Sequence, residues 1–80
     1  MEFKVKIPAD KFSKNQLKVV SMTPVLVNVY DKLGIIQEEF ETKSSQTIYP
    51  LQTSLDEIGQ VIVDIIPGKI YDFYPVVQAY

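Results

Sequence analysis

The chain has 80 residues, of which eight are lysine and ten acidic, with no arginine, histidine or cysteine, a net charge of −2 and a pI near 4.9. One small domain without a disulfide or the usual zinc ligand sets is what that composition allows. A domain this small buries only about 60–65% of its unfolded surface, and 46% apolar residues with nine aromatics supply material for packing against a further chain.

The opening MEFKVKIPAD alternates charge and apolarity, so it is unlike a secretory leader, and every apolar run is far shorter than the ~20 residues that span a bilayer. The expectation is a soluble protein without a signal peptide, of the cytoplasm or a virion. Phe3, Val5 and Ile7 alternate with Lys4 and Lys6, the pattern of a half-buried strand. Pro8 opens a loop with room for one helical turn, and LKVVSM forms a second strand that Pro24 breaks or bulges.

The segment from Pro24 to Thr42 reads as a hairpin. Asp31 and Gly34 suit a type I turn with the glycine left-handed, a connection that adds a bulge. Pairing about that turn puts Leu26, Tyr30, Ile36 and Phe40 on one face with Asn28 and Glu38. Val25, Val27 and Val29 fall on the other, beside Gln37, Glu39 and Glu41. Apolar residues on both faces of one strand mean a central position or a covering partner.

TIYPLQT is a short strand whose Pro50 suits an edge. Ser54 and Glu57 have the spacing of a capping box for one helical turn, with Gly59 as its stop. QVIVDII and KIYDFYPVV are the last strands. No repeat, linker or low-complexity stretch divides the chain, so residues 1–80 form a single all-β domain of six or seven strands.

Pro67 and Gly68 favour a type II turn, which fits a tight hairpin poorly, so IIPGKIY is expected to cross between two sheets. Ile65, Pro67, Gly68 and Tyr71, followed by Phe73, Pro75 and Val77, resemble the E-to-F corner of fibronectin type III and immunoglobulin-like sandwiches. That resemblance covers 16 residues and implies an antiparallel β-sandwich with Tyr71 as a corner tyrosine. The chain departs from the family in having no tryptophan for the core and in stopping where a last strand G would follow. It then implies an open strand edge at Tyr80 that a strand of another copy or protein fills. The alternative is a small barrel whose last strand pairs with Phe3–Ile7.

Catalysis finds little support. With no histidine, the common Ser–His and Cys–His pairs cannot form. Asp64 and Asp72 are placed to approach across the last two strands, but paired carboxylates on an exposed face are ordinary. Glu38, Glu39 and Glu41, or Asp56 with Glu57, lack the alternating ligands and glycine of a calcium loop. No enzyme activity, metal or cofactor is expected.

Charge is uneven: residues 1–20 hold five lysines against two acids (+3), and residues 21–80 three lysines against eight acids (−5). Either copies attract head to tail, or the first strand lies over its own acidic body. The expected function is a structural or interaction module that self-associates or docks into a larger assembly, such as a phage virion or a surface complex. Its surfaces would be an apolar face (Val25, Val27, Val29) and a terminal edge (Tyr74, Val76, Gln78, Tyr80). The alternative is an OB-like barrel binding single-stranded nucleic acid, with Phe3, Phe12, Tyr30, Tyr49, Tyr71 and Tyr74 stacking bases and Lys4, Lys6 and Lys18 lining a groove. An acidic chain without arginine argues against that, because phosphate neutralisation supplies most of such affinity.

Overall fold

The computed structural model describes residues 3–43, 46–65 and 76–80. Its strands are β1 (Phe3–Pro8), β2 (Gln16–Val20), β3 (Val25–Asp31), β4 (Ile36–Glu41), β5 (Gln46–Pro50), β6 (Ile58–Ile65) and β7 (Val76–Ala79). They form two antiparallel sheets, one in the order β1-β6-β3-β4 and the other β5-β2-β7. The fold is therefore a small sandwich rather than a barrel, and β7 pairs with β2 and not with β1. The expected helical turn after Pro8 is a 3-10 turn over Ala9–Lys11.

Because β6 and β7 lie in different sheets, the chain crosses between layers after Ile65, as the Pro-Gly pair implies. Most of the resembling stretch, with Tyr71, Phe73 and Tyr74, lies outside the described residues. With residues 65–71 as the E-to-F corner, β6 stands in the place of strand E and β7 in that of strand F. An immunoglobulin-like sandwich keeps strands A, B and E in one sheet and C, F and G in the other. Here β6 pairs with β1 and β3, and β7 pairs with β2, so the strand order departs from that of the family.

The β3–β4 turn forms as its residues dictate. Gly34 is left-handed at φ +82°, and its N–H donates to the Asp31 carbonyl at 3.0 Å. The Asp31 carboxylate accepts from the N–H groups of Leu33 and Ile35 at 2.8 and 2.9 Å and from the Gln37 amide at 2.8 Å. Beyond the turn the register differs from expectation. Tyr30 faces Ile36, but Val29 faces Glu38 and Val27 faces Phe40, because a bulge absorbs Gln37. A slip of one residue moves every later side chain to the opposite face. Phe40 and Glu38 thus join the Val27 face, and Glu39 and Glu41 join Leu26 and Asn28.

That face is the interior. Val25, Val27, Val29, Val61 and Val63 are fully buried, as are Leu17 and Val19 from the facing sheet. Val25, Val27 and Val29 therefore have no surface to offer a partner, and their assignment to an interface is corrected. The two apolar faces of β3 arise because the strand is central, with β4 and β6 on its flanks. Its other face, with Leu26 at 38% exposure, is turned to solvent.

Gly59 is not a helix stop. Residues 55–57 form a turn in which the N–H groups of Glu57 and Ile58 both donate to the Ser54 carbonyl. Gly59 lies within β6 where the register against β3 shifts, Tyr30 facing Gln60 and Asp31 facing Ile58. A Cβ there would stand 2.2 Å from the Asp31 carbonyl oxygen, so close backbone approach is what requires glycine.

Side chains tie the sheets together on the β4 and β5 side. Phe40 and Tyr49 pack with ring centroids 5.5 Å apart and planes tilted by 37°, and the Tyr49 hydroxyl accepts from the Lys43 N–H at 2.9 Å. Half-buried Glu38 accepts from the Gln52 N–H at 3.0 Å and from the Thr53 N–H and hydroxyl, both at 2.8 Å. Hydrogen bonds to a charged acceptor contribute more than neutral ones. Glu38→Ala is therefore expected to cost about 1–3 kcal/mol, since it leaves donors of buried Thr53 unpaired. Urea unfolding measures the loss, and Glu39→Ala on the outer face, expected to cost under about 0.5 kcal/mol, is the control.

Candidate interaction edges

Each sheet ends in two strands that pair on one side only, among the described residues. These edges differ in chemistry. Pro50 closes the end of β5, and β4 carries Glu39 and Glu41 in exposed positions. Proline removes a ladder donor, and edge charges disfavour pairing with a strand of the same charge. β1 carries exposed Lys4 and Lys6, whereas β7 from Val76 to Ala79 has no charge, no proline and no bulge.

Ladder phase tells which groups of β7 are available. The Tyr80 N–H donates to the Gln16 carbonyl at 3.0 Å. In an antiparallel pair, alternate residues turn both backbone groups toward the same neighbour. Val76 and Gln78 therefore bond to β2, and the N–H and C=O groups of Val77 and Ala79 point away from the sheet. The side chains of Val77 and Ala79 are part-buried against the core, while those of Val76 and Gln78 are exposed on the outer face beside Val20 and Lys18. Tyr80 is half-buried. Period-two reading identified the outward side chains, but the open backbone belongs to the residues between them.

A groove of about 540 Å³ runs between β1 and β7. Val5, Ile7, Val77 and Ala79 give it an apolar floor, with Lys6 and Lys11 at its margin. These lining residues become legible only once β1 and β7 are known to lie on the same side of the sandwich.

The other candidate groups do not converge. Lys18 lies on the outer face of the three-stranded sheet beside Gln78, and neither it nor Lys4 lines the groove that Lys6 borders. Phe12 and Tyr49 pack against the core, while Tyr30 lies on the outer face. Asp64 faces Lys4 across the β1–β6 pair, and Asp72 is outside the described residues. Among the described residues there is no cluster of three or more acidic side chains able to hold a metal ion. No helix among them is long and apolar enough to cross a membrane. Comparison with protein-family models, curated proteins and solved structures gives no match.

Proposed function

We propose that the chain is a non-enzymatic interaction module that takes up an extended segment along β7, as a component of a larger protein assembly. The observation that carries this reading is the uncharged edge whose Val77 and Ala79 backbone groups face outward beside an apolar groove. Main-chain hydrogen bonds give affinity in such strand addition, and pockets for alternate side chains give selectivity. Lys11 at the groove favours a segment with an acidic residue at one end.

Ala79→Pro tests the reading with little damage to the fold. The Ala79 N–H is not part of the β2 ladder, and proline is tolerated on an edge strand where its nitrogen faces solvent. The probe is a short peptide of alternating threonine and valine, kept soluble by terminal glutamates. Titration by NMR is expected to shift the amides of residues 76–80 and 5–11 in the parent chain and to leave those of Ala79→Pro unmoved. Equal shifts in the variant, or none in the parent at millimolar peptide, would contradict it.

A further inference from the structure

The four-stranded sheet ends on one side in a basic strand and on the other in an acidic one. Lys4 and Lys6 of β1 and Glu39 and Glu41 of β4 are all exposed, and all lie on its outer face. We infer that copies of this chain join edge to edge, β1 of one against β4 of the next, to continue the sheet from molecule to molecule. The inference concerns the other sheet and does not rest on the β7 reading.

Strand polarity, hydrogen-bond phase, side-chain face and charge agree on this pairing. β1 is antiparallel to β6, β6 to β3 and β3 to β4, so β1 and β4 run in opposite directions. A second copy in the same orientation therefore presents its β1 antiparallel to β4. The phase follows from the Thr42 N–H, which donates to the Val25 carbonyl at 2.8 Å. Val25, Val27 and Val29 thus turn their backbone groups to β4, where Phe40 shares the phase of Thr42. Glu39 and Glu41 then turn theirs outward. Carried across β3 and β6, the same alternation makes Phe3, Val5 and Ile7 bond to β6 and leaves the groups of Lys4 and Lys6 outward.

Setting Lys4 opposite Glu41 and Lys6 opposite Glu39 makes both of these hydrogen-bonded pairs, with opposite charges on the same face. The same register sets Val5 opposite Phe40 on the inner face, where both are only part-buried at the margin of the core. Pro8, which lacks an N–H, ends the ladder. Pairing of β1 with another β1 would bring lysine to lysine, and β4 with β4 glutamate to glutamate, and like charges directly opposite are unfavourable. Charge thus selects the unlike edges. Such a head-to-tail contact uses different surfaces on the two copies and propagates as a filament or closes as a ring.

Charge exchange tests the inference. The Lys4→Glu/Lys6→Glu variant has two acidic edges, and Glu39→Lys/Glu41→Lys has two basic ones. In sedimentation velocity at low salt, the parent chain is expected to exceed monomer mass, each double variant to stay monomeric, and an equimolar mixture of the two to associate again. Circular dichroism checks that each variant is folded; if a reversal disturbs folding, Lys6→Gln and Glu39→Gln, each expected to reduce association of the parent type, replace it. Ala79→Pro is expected to associate like the parent. A parent that stays monomeric at millimolar concentration, variants that associate as it does, or a folded mixture that stays monomeric would overturn the proposal.

Discussion

Val27→Lys is expected to abolish folding of the chain at 25 °C. Val27 is fully buried at the centre of the sandwich, opposite Val63 on one side and Phe40 on the other. Glu38, the carboxylate on that face of β4, is already engaged by Gln52 and Thr53, and the effective penalty for an unpaired buried charge is several kcal/mol. Total stability at ~0.05–0.15 kcal/mol per residue leaves little to oppose it. The neighbouring Leu26→Lys supplies the contrast. Leu26 points to the outer face at 38% exposure, so its replacement is expected to change stability by no more than about 1 kcal/mol. Far-UV circular dichroism with urea unfolding measures both. A folded Val27→Lys chain would mean that the interior lies on the other face of β3.

Gly59→Ala is expected to cost about 3 kcal/mol, at or above the usual range for overpacking, because the clash is with backbone. The added Cβ would stand 2.2 Å from the Asp31 oxygen and 2.7 Å from its carbonyl carbon. Relief requires that β6 move away from β3 where the bulge sets their register. For a domain of this size that loss lowers the thermal midpoint by roughly 12–24 °C. Gly34→Ala is the matched control: a Cβ added there would meet nothing within 4 Å, but the residue's φ is +82°. Its cost is that of a left-handed alanine, about 1–2 kcal/mol. Scanning calorimetry on the two variants separates steric contact from backbone strain, and equal losses would argue against the contact.

Sequence periodicity reads well where one face is buried. Phe3–Ile7, the Asp31–Gly34 turn, the edge placement of Pro50 and the crossing after Ile65 all follow from local chemistry. What periodicity does not fix is how strands are shared between sheets. That β1 pairs with β6 and β7 with β2 depends on contacts distant in the chain, and apolar alternation is the same for either sheet. The bulge at Gln37 shows the second limit, since one extra residue moves Phe40 and Glu38 to the core face. Val25, Val27 and Val29 look like a surface needing cover only while β3 lacks its neighbours. The uneven charge is visible in the sequence, but its meaning depends on topology. Only the strand order puts Lys4 and Lys6 on one edge of a sheet and Glu39 and Glu41 on the opposite edge.

Copies that join β1 to β4 as inferred associate in solution, and light scattering over a concentration series at two salt levels measures whether they do. The mass is expected to rise above the monomer with concentration at low salt and to fall back in about 1 M salt, where the screening length is about 3 Å. A monomer mass at every concentration, unaffected by salt, would contradict that mode of action.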